Sequence, residues 1–100
     1  MPKGYWIAHV TVTDPEQYQH YASGTREAFQ KYGANILARG GTFHQLEGPG
    51  HARNVVIEFP SLEVGVACFE SPEYVAAAAF RRAGAGVVEN VIVEGGEATR

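Results

Sequence analysis

Two charged residues, Arg39 and Glu58, lie in segments whose neighbours are mostly apolar and β-branched. Charged side chains are rarely buried unless they are paired. The two segments are neighbours in a predicted hairpin, so both side chains could share one face of a sheet. Two interpretations stay open. The residues form an ion pair that fixes an interface between subunits, or Arg39 binds an anionic substrate while Glu58 acts as a base or orienting group.

Histidines are the next candidates for chemistry, and the chain has four of them. Their spacing matches neither H-x-x-x-H nor H-E-x-x-H, and a metal ion usually needs three or more converging ligands, so we predict no metal site. His9 falls on the same predicted strand face as Glu58, where an imidazole beside a carboxylate can act as an acid or base near neutral pH. A structural role for His9 is the alternative. The candidate catalytic residues are therefore His9, Arg39 and Glu58, and the remaining histidines are His20, His44 and His51.

Arg53 and His44 are candidate substrate-binding residues at the two ends of a glycine-rich turn region. For Arg53 the alternative is a solvated charge at the rim of a strand. An ideal strand period of two places His44 on the opposite face from Arg39, but a bulge at Gly40-Gly41 would shift that parity. Which of the two points inward is therefore open.

Tyr18 and Tyr74 complete the set of candidate substrate-binding residues. A tyrosine hydroxyl at the mouth of a pocket can donate a hydrogen bond, although packing in the core explains both rings equally well. Cys68 is the only cysteine, so it forms no disulfide within the chain, and we expect an inert thiol in a reducing cytoplasm. No phosphate-binding loop or nucleophile elbow is present, and we predict no cofactor.

Length and composition restrict the class of protein. One hundred residues, 45% hydrophobic and 19% charged, are typical of one folded domain, which we place at residues 1–100 with an ordered core at about 3–95. Eight Lys and Arg against eleven Asp and Glu give a net charge of -3, which argues against a nucleic-acid partner. No segment resembles a signal peptide or a membrane span, so we expect a cytoplasmic protein without a membrane partner.

Hydrophobic periodicity predicts six main elements. Alternating residues favour strands, and apolar residues three and four apart favour helices. The order is β-α-β-β-α-β, the ferredoxin-like pattern: an α+β fold with a four-stranded antiparallel sheet and helices on one face. The predicted strands are 5–13, 36–47, 55–59 and 87–93; the helices begin at Pro15, ending near Gly33, and at Pro72, continuing from Tyr74 to Ala83, with a short helical turn at 61–69 and a frayed tail at 95–100.

The two faces of this sheet differ in character. Apolar rows 6-8-10-12 and 55-57-59 suit the face that the helices cover. The opposite face has nothing in its own chain to cover it, and a face of this kind commonly pairs with a second copy by two-fold symmetry. We therefore expect a homodimer. The residues on the uncovered face are Ile7, His9, Thr11, Val56 and Glu58.

Several short segments, in order and across residues 2–95, resemble the family called domain of unknown function 1330. They include Gly4-Tyr5-Trp6, Arg39-Gly40-Gly41, the run from Arg53 to Ser61, and Ser71-Pro72-Glu73-Tyr74. The resemblance implies a dimeric α+β barrel, in which two ferredoxin-like subunits pack sheet against sheet and enclose a cavity. That wider group contains cofactor-free monooxygenases, haem proteins and lactone isomerases. Their catalytic motifs do not match this chain, so no residue roles are carried over.

Taken together, the sequence predicts a small homodimeric protein that binds a small anionic or aromatic metabolite in a barrel cavity. Cofactor-independent monooxygenation and isomerase-type proton transfer are the two reaction types considered, and whether the protein is an enzyme at all is open. The alternative is a non-catalytic dimeric binding or accessory module in which Arg39 and Glu58 only stabilise the interface.

Overall fold

The computed structural model describes residues 2–96, which form a four-stranded antiparallel sheet with helices on one face. The order of strands across the sheet is β2-β3-β1-β4. The long central strand β1 pairs with both β3 and β4, and β2 is a short edge strand. The bounds are Gly4–Val12 for β1, Asn35–Arg39 for β2, Arg53–Phe59 for β3 and Gly86–Glu94 for β4.

Each helix begins at a residue suited to cap it. Asp14 accepts a hydrogen bond from the Gln17 backbone at 3.3 Å, and Ser61 and Ser71 cap the next two helices in the same way. Such caps satisfy backbone N–H groups that have no partner within the helix. The helices are α1, Pro15–Lys31; α2, Leu62–Glu70; and α3, Pro72–Phe80. The predicted β-α-β-β-α-β order and fold class are confirmed. Helices α2 and α3 together occupy the place of the second helix in this pattern.

A wide turn follows α3 and leads into β4. It spans Arg81–Ala85, and Gly84 within it has a φ of 109°. Only glycine adopts this conformation without strain, so the regular helix ends earlier than the predicted Ala83. The predicted frayed tail lies mostly outside the described residues, because residues 97–100 are not among them.

The hydrophobic core lies between the helices and one face of the sheet. Alternate residues of β1 and β3 point into it, with Trp6 at its centre. Four aromatic rings surround Trp6, with centroid distances of 5.2 to 5.7 Å. Burial of large aromatic side chains in such pairs supplies much of the stability of a small core. The rings are Phe29, Phe59, Phe69 and Tyr74.

Strand β2 is much shorter than predicted. It ends at Arg39, whereas the sequence predicted a strand over residues 36–47, and residues 40–52 form a loop. Gly40 has a φ of 68°, which turns the chain away from the ladder. The bulge also lies elsewhere: Ile36 pairs with Ile57 and Ala38 pairs with Val56, so Leu37 is the extra residue.

The other face of the sheet is not covered by any helix of residues 2–96, since all three pack on the core side. We call it the open face. Strand pairing places four apolar residues in one row across all four strands, which we call the apolar row. The neighbouring rows are more polar, although one of them ends at Val93. The apolar row consists of Ala38, Val56, Ile7 and Val91.

Within residues 2–96, no helix combines the length and the apolar composition that a bilayer span requires.

Candidate functional site: a cavity between helix α1 and the sheet

A cavity of about 350 Å³ lies between α1 and the covered face of the sheet. Its floor is formed by the inward-pointing residues of β1, and its roof by the face of α1 that looks toward the sheet. Most of these side chains are apolar or aromatic, which is typical of a site for a small organic molecule. They include Trp6, Ala8 and Val10 from the floor and Tyr18, Tyr21 and Phe29 from the roof.

Three arginines line this cavity: Arg26 from α1, Arg39 from the end of β2 and Arg53 from the start of β3. Among the lining residues of the described chain there is no Asp, Glu, His or Lys. The three guanidinium groups therefore have no carboxylate partner within the cavity wall. Arg26 and Arg39 are exposed and Arg53 is half-buried, so the apolar wall lowers the local dielectric constant mainly around Arg53 and strengthens its attraction for an anion.

Arg53 is held in place by two neighbours. Its guanidinium carbon lies 5.5 Å from the centre of the Tyr18 ring, a cation–π contact. On the other side it passes Gly40, where a Cβ would approach its Nη1 to 2.6 Å. The Nε of Arg53 is buried and has no hydrogen-bond partner within residues 2–96. A buried donor left unpaired is costly, so a ligand that accepts from it would be stabilised.

The bulge at Leu37 determines where Arg39 points. Because of the extra residue, Arg39 pairs with Val55, a buried residue of the covered face. Arg39 therefore lies on the cavity side, which settles the parity left open by the sequence. The predicted sharing of one face by Arg39 and Glu58 is wrong, since Val55 and Glu58 are three residues apart on β3 and point to opposite faces.

Glu58 and His9 both lie on the open face, away from the cavity, but they are not neighbours: Glu58 pairs with Tyr5 and His9 with Asn54, on opposite sides of the apolar row. Glu58 accepts hydrogen bonds from the Tyr5 hydroxyl at 3.2 Å and from the Asn35 amide at 3.5 Å. The hydrogen bond to Glu58 raises the pKa of the Tyr5 phenol. His9 donates from Nδ1 to Asn54 at 2.6 Å. The prediction that these two share a face with each other is confirmed, but neither lines the cavity with Arg39.

The remaining histidines fall into different environments. His44 is exposed in the loop after β2 and does not line the cavity, because the predicted strand around it does not form. His51 bonds to Thr11 at 2.6 Å and to Glu89 at 3.0 Å, which ties the end of the loop to the open face. Within residues 2–96, no three His, Cys, Asp or Glu side chains are grouped as metal ligands would be.

Tyr74 is buried in the core and meets the cavity only through a neighbour. Its hydroxyl is 2.8 Å from that of Tyr21, whose ring lines the cavity. Burial, and then the nearby Tyr74, raise the pKa of Tyr21 well above its ordinary value. Tyr21 thus stays a neutral phenol at any physiological pH, suited to packing or hydrogen bonding and not to taking a proton.

Sequence reasoning missed Arg26 and Tyr21 as cavity residues. Tyr21 was part of the predicted apolar stripe of α1, but a stripe residue is normally core. Arg26 lies beside that stripe, next to Thr25, and an arginine at the edge of an amphipathic helix is usually solvated. The small side chain of Ala8 could have indicated the cavity, because it leaves room beneath α1. That room becomes evident only once the helix and the sheet are packed together.

Cys68 lies in the core on the inner side of α2. Burial, together with the nearby Glu73, raises the pKa of its thiol to about 11. A thiol that is buried and protonated is a poor nucleophile, which agrees with the expected structural role.

The strand order, the single helical layer and the enclosed cavity define the class: a ferredoxin-like α+β protein with a pocket between its sheet and first helix. The chain belongs to the family described as Domain of unknown function (DUF1330), whose model matches residues 3–96. No curated protein matches the chain significantly.

Solved structures share this fold at low sequence identity. A protein of unknown function from Rhodopseudomonas palustris has a TM-score of 0.76 and 18% identity, covering 96% of this chain and 84% of that one. SnoaB, a cofactor-independent oxygenase from Streptomyces nogalater, has a TM-score of 0.65 and 12% identity, covering 97% and 96%. A dimeric ferredoxin-like protein of unknown function from Thermobifida fusca has a TM-score of 0.57 and 16% identity, covering 93% and 91%.

Proposed function

We propose that the protein binds a small organic anion with an apolar or aromatic body in the cavity beneath α1. The observation that carries this proposal is the cavity lining: three arginines and no carboxylate in the described wall, beside a largely apolar floor and an aromatic roof. Arg39 and Arg53 come from neighbouring strands, so both guanidinium groups can engage one carboxylate. Tyr18 takes part by holding Arg53, whereas the position of Tyr74 suits support of Tyr21.

The cavity wall favours one of the two reaction types considered. Proton-transfer isomerisation needs a general base, and the lining residues of the described chain include no carboxylate or imidazole. Oxygenation without a cofactor draws both electrons for dioxygen from the substrate. A substrate acidic enough to lose its proton to water before it binds needs no base in the wall, and the arginines would stabilise the resulting anion, which releases the electrons. The oxygenase activity described for SnoaB is consistent with this choice. If the protein is an enzyme, we propose the oxygenase type.

The binding proposal is tested with 2-naphthoate and its neutral counterpart 2-naphthamide. Trp6 is the only tryptophan and lines the cavity, so its fluorescence reports occupancy. We expect Arg39→Ala and Arg53→Ala each to weaken naphthoate binding about tenfold to a hundredfold, the value of a charged hydrogen bond. Arg82→Ala is the matched control, because Arg82 lies over Phe69 and not in the cavity. Equal affinity for acid and amide, or loss with Arg82→Ala as well, would contradict the proposal.

We also propose that a second copy of the chain covers the open face. The apolar row crosses the whole sheet, and Val91 within it is 57% exposed. Exposed contiguous apolar surface of this kind is typical of a protein interface. The related fold from T. fusca is described as dimeric, which supports the same arrangement.

The dimer proposal predicts that Ile7→Lys yields monomers, because it buries an unpaired charge at the centre of the apolar row. Light scattering after size exclusion measures the mass. Arg39→Ala is the control and leaves the dimer intact, since Arg39 lies on the covered face. This outcome would also argue against the alternative module in which Arg39 stabilises the interface. A wild-type monomer at micromolar concentration would refute the dimer.

A further inference from the structure

We infer that the ligand is a carboxylate with an extended, flexible apolar tail, and that the tail passes Trp6 into a second cavity. The inference rests on the proposed function, since the arginines of the first cavity are taken to hold the carboxylate. It adds the shape of the ligand and a binding site for its tail.

The second cavity has a volume of about 220 Å³ and lies between α2 and β4. Its wall is apolar except for one amide, so it suits hydrocarbon and offers nothing to a charge. Gly65 allows α2 to approach the sheet closely here, because a Cβ at this position would collide with the Ile92 side chain. The residues that form the wall are Trp6, Gly65, Val66, Phe69, Asn90, Val91 and Ile92.

Trp6 and Asn90 belong to the walls of both cavities. The two spaces are therefore neighbours across these two side chains. Trp6 is fixed by its aromatic neighbours, for example Tyr74 at 5.2 Å and Phe29 at 5.6 Å. A rigid ring system that filled both spaces would have to displace it. A flexible chain can instead bend past on the Asn90 side, where the opposite residue of the β1–β4 ladder is the small Ala8.

Charge and polarity are arranged along this path. Arg39 and Arg53 belong to β2 and β3, whereas the second cavity adjoins β4 at the other edge of the sheet. A ligand that occupied both cavities would thus run across the strands, with its anionic end at the arginines and its apolar end under α2. An amphiphilic monocarboxylate matches this gradient, whereas a dicarboxylate would place a charge in an apolar pocket.

The test is a series of straight-chain carboxylates from hexanoate to dodecanoate, measured by isothermal titration below their micelle concentrations. For the wild-type protein we expect affinity to rise with length, by at most about fourfold for each methylene buried. Val66→Trp fills the second cavity, so it removes the gain for the longer acids and leaves hexanoate binding unchanged. Val75→Trp is the matched control, because Val75 is an exposed residue of α3 outside both cavities.

A second variant at the same position keeps the test conclusive if Val66→Trp does not fold. Val66→Asp adds a carboxylate at the same half-exposed position and should abolish the length gain, because burying the tail there would strip the carboxylate of its water. A length gain that survives both Val66 variants would overturn the inference, as would the absence of any gain in the wild type. In either case hexanoate binding that depends on Arg53 would leave the proposed function intact. Failure of every acid to bind would instead refute the proposed function itself.

Discussion

The two faces of the sheet are built from the same strands and carry opposite kinds of charge. On the covered face, Arg39 and Arg53 point into a cavity with no carboxylate in its described wall. On the open face, Glu58 and Glu89 are bonded to neutral or histidine partners around an apolar row. Alternation along each strand separates these two sets completely, because neighbouring residues point to opposite sides.

This difference assigns the two proposed roles, ligand binding and self-association, to separate faces, which the sequence alone did not distinguish. The cavity face has cations with no carboxylate in the described wall around them and a half-open cavity, which suit an anionic ligand. The open face has satisfied polar groups and exposed apolar area, which an interface requires. Changes on one face should therefore leave the task of the other untouched, and this expectation can be tested by matched substitutions.

The largest expected contrast is in stability. Phe59→Ala removes a fully buried ring of the covered face and should lower the free energy of unfolding by about 3–5 kcal/mol. Val87→Ala on the open face, where Val87 is 58% exposed in the single chain, should change it by no more than about 0.5 kcal/mol under conditions that keep the protein monomeric. Urea unfolding followed by circular dichroism measures both. Similar losses would mean that the open face is packed as tightly as the core.

Thiol reactivity should follow the same division. With its pKa raised to about 11 from 9.0, native Cys68 should react with iodoacetamide at pH 8 roughly a hundredfold more slowly than in the unfolded chain. A Thr11→Cys thiol on the open face, in a Cys68→Ala background, should react at an ordinary rate under conditions that keep the protein monomeric. The raised pKa also links the protonation of Cys68 to stability. Because the native pKa lies above the unfolded value, the stability that comes from keeping this thiol protonated is complete below pH 9.0 and is lost as the pH rises toward about 11. Rapid alkylation of native Cys68 would contradict the assignment.

The contributions of single hydrogen bonds to stability should differ less between the covered and the open face. Tyr74→Phe removes one member of the buried hydroxyl pair with Tyr21 and should cost about 1 kcal/mol. Asn54→Ala removes the acceptor of the exposed His9 hydrogen bond and should cost less, because water replaces it. Thermal unfolding compares the two. A greater loss from Asn54→Ala would indicate that the open face is shielded from water by a partner.

The smallest effect concerns the ion pair on the outside of the helical layer, where Lys31 Nζ lies 2.9 Å from a carboxylate oxygen of Glu73. The hydrogen bond from Lys31 lowers the pKa of Glu73. A lowered pKa stabilises the fold above the ordinary carboxyl range, and this contribution is lost as the pH falls through the native value. Lys31→Ala should therefore lower the melting temperature slightly at pH 7 and leave it unchanged at pH 2. A decrease as large at pH 2, or an equal decrease for Lys3→Ala, would contradict this account.

Periodicity predicted the architecture because it is a local property. The inward row of Trp6, Ala8 and Val10 and the start of α1 at Pro15 each depend on a few adjacent residues, and both are present. The extent of β2 was mispredicted because residues 40–47 have strand-like composition, but positive φ at Gly40 ends the pairing.

The site was harder to predict than the fold because it depends on how layers pack. His9, Arg39 and Glu58 were grouped from strand proximity, yet the face of Arg39 depends on one bulged residue. Arg53 was identified as a candidate, but its contact with Tyr18 joins residues 35 positions apart. No local pattern shows that α1 stands far enough from Ala8 to enclose a cavity.

The bulge at Leu37 has a consequence for how relatives of this chain should be aligned. Deleting Leu37 would make the pairing regular but leave Arg39 opposite Val55, so Arg39 would keep its face. A strand of the present length without the bulge would instead pair Arg39 with Asn54 and turn it to the open face. A relative with an arginine in the same column of an alignment can therefore have lost it from the cavity if its β2 has the same length and no bulge. The arginine is informative about binding in this family only together with the length and register of β2.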